Sequence, residues 1–293
     1  MSVQITTAFV EQYKGNVEML VQQKGSRLRK AVSVETVTGK NAFFEQVGVT
    51  AARQRTSRHS DTPRMDTPHA RRRVSLVDYD WADLIDDEDR VRMLINPSGP
   101  YAIAASAAMG RAMDEAIVDA ADGTAYTGVA GGTSTSYDSS NTVDVQVGIS
   151  PAADTGLNVG KLRAAKNILD ANEAEDESRT MVINAKQLQN LLGETEITSS
   201  DYAVVKALVH GEVSTFMGFD FIRTELLETD SNSDHKVLFW QNSGMKLAIG
   251  SEPSVKISER DDKNYATQVF VSMSIGATRM QEKLVGYIEC DPT

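Results

Sequence analysis

The stretch from Ser98 to Ala121 constrains this chain more than any other. Nine of the 21 residues from Tyr101 to Ala121 are alanine, the strongest helix former. Pro100 suits a first helical turn, and Asn96-Pro97 and Gly123 punctuate the two ends. The spacing predicts one helix of about six turns, roughly 30 Å long. Met109, Met113 and Ile117 recur every four residues, and Ala105, Ala112, Ala116 and Ala120 widen the same stripe. A helix so rich in alanine can lie close against a sheet or another helix. By itself it is a long core helix of an α+β domain, so its neighbours must decide what it serves.

The segment before it has the opposite character. Val32–Val37 alternates and reads as a strand, and Phe43–Val49 reads as another. Residues 52–70 then carry almost no apolar side chains, and Arg71–Tyr79 returns as a strand. The pattern predicts a long two-stranded arm with a polar, basic tip. Its arginines are Arg53, Arg55, Arg58, Arg64, Arg71, Arg72 and Arg73. No aromatics are interleaved with them, which argues against a platform for stacking single-stranded bases. A loop this long without a core of its own is unusual in a compact monomer. Either the arm clasps a partner through these arginines, or it is a solvated surface loop.

Charge follows the same division. The net charge is −11, yet residues 1–75 hold 13 Lys+Arg against 6 Asp+Glu, and the rest hold 17 against 35. A basic arm on an acidic body suits identical copies that lie across one another. The overall acidity argues against broad binding of duplex nucleic acid.

The remaining elements read in order. Residues 6–23 form an amphipathic helix with Phe9, Tyr13 and Val17 on one face. Residues 81–97 form an acidic helical linker into the long helix. Residues 123–156 are a Gly/Ser/Thr-rich loop with a strand at Thr142–Val147. From Asn158, which caps a helix reaching about Glu173, the pattern becomes α/β. A buried strand at Thr180–Asn184 and helices at Ala185–Leu192 and Asp201–Val209 follow, then one strand at Val213–Arg223. Val237–Trp240 and Met245–Ile249 flank Asn242-Ser243-Gly244, a hairpin signal. Val255–Glu259 and Tyr265–Ile275 flank a second turn, and Leu284–Cys290 closes the chain.

Several function classes lack their chemistry. The four histidines, His59, His69, His210 and His235, have no metal-ligand spacing. Asp86-Asp87-Glu88-Asp89 lacks the alternating ligands and central glycine of a calcium loop. Gly128–Ser134 has no Gly-Lys-Ser/Thr ending, and there is no Gly-x-Ser-x-Gly elbow. The single Cys290 excludes an internal disulfide framework. No catalytic residue, cofactor or metal is expected. No run of 18 apolar residues occurs and the start shows no signal-peptide pattern, so no membrane partner is expected.

The order of these elements resembles the major capsid proteins of tailed bacteriophages, which share the Hong Kong 97-type coat fold. The likeness rests on three pieces besides the arm and the long helix. They are Gly211-Glu212-Val213 leading to Phe216–Ile222, Val237–Trp240 with Met245–Ile249, and Ser274–Arg279 with Gly286–Asp291. The resemblance implies an α+β protein. Its N-terminal arm would be residues 1–30, its extended loop 31–80, and its peripheral domain 81–154 with the spine helix at 98–122. An axial domain would occupy 155–235, and residues 236–293 would return to the peripheral and axial sheets. It implies self-assembly into hexamers and pentamers of an icosahedral shell around double-stranded DNA. Portal protein, a separate scaffolding protein and a decoration protein would be further partners. The protein would be a virion component made in the bacterial host cytoplasm. Three other readings stay open at this level: the shell of an encapsulin-type nanocompartment, an α+β enzyme with an unrecognised site, and a nucleic-acid-binding module.

Overall fold

The computed structural model describes residues 22–58, 61–62, 64–86, 98–147, 154–193, 215–229 and 233–291. The expected helices at 6–23 and Asp201–Val209 lie outside the described residues, apart from Gln22 and Gln23, which are irregular. So do His59, His210 and most of the Asp86–Asp89 cluster.

The described chain opens with a short strand β1 (Ser33–Thr36), then β2 (Asn41–Val47), β3 (His69–Ser75) and β4 (Val77–Ile85). Helix α1 (Ser98–Asp122) follows, then β5 (Ala125–Thr127), β6 (Thr133–Thr135) and β7 (Thr142–Val143). Helix α2 (Val159–Ala171), β8 (Arg179–Ile183) and helix α3 (Ala185–Gly193) come next. The chain ends with β9 (Thr215–Phe216), β10 (Phe219–Arg223), β11 (His235–Gln241), β12 (Met245–Arg260), β13 (Ala266–Arg279) and β14 (Val285–Cys290).

These strands make three sheets: β1-β12-β13-β4, β7-β14-β11-β8-β10-β9, and β2-β3-β5-β6. The six-stranded sheet is a wall shared by two cores. On β11, Leu238 and Trp240 face α1, while Val237 and Phe239 face α2. On β8, Val182 goes to the first core, and Met181 and Ile183 go to the second. Burial on both faces is why these strands read as unbroken apolar runs rather than alternating ones.

Helix α1 packs on β12 and β13 through the stripe the sequence predicts. Met109, Met113 and Ile117 are all buried against Leu247, Ile249, Val271, Met273 and Ile275. The Asn158 cap also forms, its side chain accepting from the Lys161 N–H at 2.8 Å.

Five expectations are corrected. Residues 81–85 are strand, not helix, because Tyr79 and Trp81 alternate onto the α1 face and β4 pairs with β13 from Val77 to Ile85. Residues 87–97 of that linker lie outside the described residues. Val213–Arg223 is not one strand: β9 and β10 fold into a hairpin at Met217-Gly218, both at positive φ (53° and 87°), the backbone a tight hairpin turn requires. The expected strand at Thr142–Val147 stops at Val143, since only Thr142 and Val143 find a partner, on β14. The loop before it contains an unforeseen hairpin, β5–β6. Finally, Asn242-Ser243-Gly244 does not join two paired strands. Strand β11 already has β14 and β8 on its two edges, so β12 passes to another sheet and pairs with β13 and β1.

Candidate subunit interface

The arm grows from a small apolar root. Phe44 of β2 and Val74 of β3 are buried with Ala248 and Met280 of the body. From that root the two strands run antiparallel, from Asn41↔Ser75 to Val47↔His69. The last rung is the Gly48 N–H donating to the Pro68 carbonyl at 2.8 Å. Beyond it the chain is irregular, and every described residue from 47 to 70 is exposed. Val49, at 97% exposure, touches nothing that would hide it. The tip's few apolar side chains, Val49 and Met65, stay exposed, so among the described residues it gains no burial from its own body.

The seven arginines fall into two groups. Arg53, Arg55, Arg58 and Arg64 sit in the exposed tip. The Arg55 side chain donates to the nearby Ser57 carbonyl at 3.1 Å. The other three are engaged at the root, within the chain. Arg71 pairs with Glu45 of the facing strand and lies over the Phe43 ring at 5.3 Å. Arg73 lies over the Tyr126 ring at 4.7 Å. Arg72 is only 4% exposed and holds both carboxylate oxygens of Glu282 at 2.5 Å. Sequence reading put Arg72 with the tip, at an interface with another copy. Strand alternation instead turns it inward beside Val74, onto its own body.

A second junction was missed by the sequence reading. Asp114, on the buried flank of α1, has no exposure at all. It accepts from the Arg27 N–H (2.9 Å), the Leu28 N–H (3.1 Å), the Ser26 hydroxyl (2.5 Å) and the Gln23 amide. This carboxylate pins the segment 23–28 along the helix. Gly110 completes the seat, because a Cβ there would meet the Gly25 backbone at 2.4 Å. An acid beside Met113 in an otherwise apolar stripe was the available signal. Next to this segment, Trp240 donates its indole N–H to the Ala31 carbonyl at 2.8 Å.

The body's charges are arranged differently from the arm's. Glu115 and Asp119 are exposed one turn apart on α1, beside Tyr79 of β4. Burial, then Glu115 and Asp122, raises the Asp119 carboxyl above its usual range. Burial, then Asp119 and Glu115, likewise raises the Tyr79 hydroxyl. Among the described residues neither Glu115 nor Asp119 is in an ion pair, and Asp78 and Asp80 on β4 are also exposed and unpaired. The body therefore carries surplus acid where the arm carries surplus arginine.

Buried cations inside the body are spent on backbone oxygens. Lys161 donates to the Thr155 and Glu289 carbonyls at 2.6 and 2.7 Å, and burial lowers its ammonium below its usual range. Arg179 caps the end of α2 through the Ala174 carbonyl (2.7 Å) and Asp170 (2.6 Å). Among the described residues, no cluster of His, Cys, Asp and Glu could hold a metal ion. No helix among them is long and apolar enough to cross a membrane.

The comparisons with known proteins agree with this architecture. No curated protein sequence matches the chain. Among solved structures, the capsid of cyanophage P-SCSP1u is similar at a TM-score of 0.75 and 16% identity, over 98% of this chain and 94% of that one. The capsid of Ralstonia phage GP4 gives 0.74 and 13%, over 97% of both chains. The asymmetric unit of the cyanophage Pam1 capsid gives 0.70 and 12%, over 98% of both. At these identities the likeness establishes a shared α+β capsid fold. The model of the family described as phage capsid protein matches residues 5–292. The chain therefore belongs to the phage capsid protein family, whose members are structural components of the virion shell rather than enzymes.

Proposed function

We propose that copies of this chain join into hexamers and pentamers through their β2–β3 arms, each arm lying across the body of the next copy. The observation that carries this reading is the exposed tip. The described residues of 47–70 bury nothing in their own chain and present Arg53, Arg55, Arg58 and Arg64 to solvent. Exposed acids of the body, Glu115 and Asp119 on α1 and Asp78 and Asp80 on the opposite face of β4, supply the complementary charge. A contact between two different patches of one chain is heterologous, and such contacts close into rings when the rotation fits.

On this reading residues 31–80 are the extended loop and residues 1–30 the N-terminal arm. Helix α1, with β4, β12 and β13, makes the peripheral unit, and α2 and α3 with the six-stranded sheet make the axial unit. Double-stranded DNA fills the shell, and the chain's net charge of −11 keeps an inner wall from gluing that DNA in place. Portal, scaffolding and decoration proteins are the further partners, and synthesis takes place in the bacterial host cytoplasm.

The test is the size of the assembled product. Sedimentation with negative-stain imaging of the purified chain, with and without its candidate scaffold, should give five- and six-fold rings or closed shells. A monodisperse monomer or dimer under both conditions would overturn the proposal.

A further inference from the structure

We infer that Arg72, Glu282 and Arg279 form a buried knot that sets the angle at which the arm leaves the body, making them positioning residues for assembly. The apolar root of Phe44, Val74, Ala248 and Met280 holds the arm on. Hydrophobic contact is non-directional, however, and so does not fix a direction. The knot does. Arg72 grips Glu282 with one nitrogen shared between both oxygens, and its Nε donates to the Met280 carbonyl at 3.0 Å. Gln46, across the hairpin, donates to the same Met280 carbonyl at 2.5 Å. Both strands of the arm are therefore referred to one turn of the body.

That turn is in turn referred to α1. Arg279 has no exposure, and its Nε lies 3.8 Å from Glu282. Its Nη1 donates to the carbonyls of Ala121 (2.8 Å) and Gly123 (2.9 Å), at the end of the helix. One carboxylate thus joins the arm to the spine of the body. The planar guanidinium fork has a fixed geometry that an ammonium or an apolar group lacks.

The knot is a poor device for stability alone. It buries two guanidiniums against one carboxylate, and Arg72 Nη1, Arg279 Nε and Arg279 Nη2 have no hydrogen-bond partner. Burial lowers the Arg279 guanidinium below its usual range, against the pull of Glu282. Well-packed apolar residues often stabilise as well as such a group or better, so what the charged group supplies here is direction. The consequence for assembly rests on the proposal that the arm reaches a neighbour, but the angle itself is a property of one chain.

The experiment uses the unassembled full chain. Spin labels at Val47→Cys, beside the last rung of the arm, and Asn167→Cys, on the exposed side of α2, report the arm's direction by pulsed electron resonance; buried Cys290 stays in place. The intact chain should give one narrow distance distribution. The double variant Arg72→Met with Glu282→Leu should widen it at least twofold, at a lower melting temperature because buried Arg279 loses its carboxylate. Should that variant not fold, Arg72→Lys keeps the charge, loses the fork and should also widen the distribution. Equal widths in intact and altered chains, whether narrow or broad, would overturn the inference. Failure of the arm to find a neighbour would instead appear only in assembly, leaving these distances unchanged.

Discussion

The body and the arm are made from one chain by opposite rules. In the body, α1 lays Met109, Met113 and Ile117 on a sheet whose facing residues are fully buried, and the buried Asp114 carboxylate and Trp240 indole both meet partners. In the arm, burial stops at the root, and every described residue from 47 to 70 faces solvent. The body can be explained from itself. The arm cannot: its ordering costs backbone entropy that no burial among the described residues offsets. What the difference teaches is that, among the described residues, long exposure is concentrated in one stretch of about two dozen, where the proposed intersubunit contact would lie.

Substitutions should separate the two regions sharply. Met109→Asp would put an unpaired charge into the α1 core, with a cost of about 4 kcal/mol or more, enough to abolish folding. A soluble variant with an unchanged melting curve would show that this face of α1 is not the core. Asp114→Ala should come next. It strips the acceptor from the Arg27 and Leu28 N–H groups, and a loss of about 3 kcal/mol is expected in denaturant unfolding. A loss under about 1 kcal/mol would mean that the segment 23–28 is held by packing alone.

A third effect depends on pH. Burial pushes the Cys290 thiol up to about 12, from an ordinary value of 9.0. The folded chain keeps the proton where the unfolded chain gives it up. The thiol's contribution is therefore complete below pH 9.0 and declines as pH rises towards 12. Thiol reagents should leave the native protein unlabelled at pH 8, and Cys290→Ala should flatten the alkaline fall in melting temperature. Rapid native labelling would contradict the burial. The smallest stability change belongs to the arm. Arg55→Ala or Arg58→Ala should move unfolding by no more than about 0.5 kcal/mol, as at any exposed site, while lowering assembly yield measured by light scattering.

The sequence revealed the regions unequally. Alanine spacing and the Asn158 cap announced α1 and α2, because helices are written in local contacts. The arm was legible for the opposite reason, since a long polar stretch between two strands has nowhere to be buried. Elements that depend on distant partners were hidden. The acidic residues around Trp81 suggested a helix until β13 supplied a neighbour for Val77–Ile85. The turn at Asn242-Ser243-Gly244 was visible, but which sheet the next strand would join was not. Asp114 finds its partners some ninety residues earlier in the chain, and no local pattern marks that. The run Arg71-Arg72-Arg73 looks uniformly basic, yet strand alternation sends its middle member inward to Glu282. The interface side of the account is carried by the four tip arginines alone.

The most direct measurement replaces residues 50–66 by Asn-Gly, which closes the hairpin just beyond the Gly48–Pro68 rung. Melting and sedimentation are then compared with the intact chain under assembly conditions. The account predicts a shortened chain that melts within a few degrees of the intact one and stays unassembled while the intact chain forms shells. Normal shells from the shortened chain would contradict it.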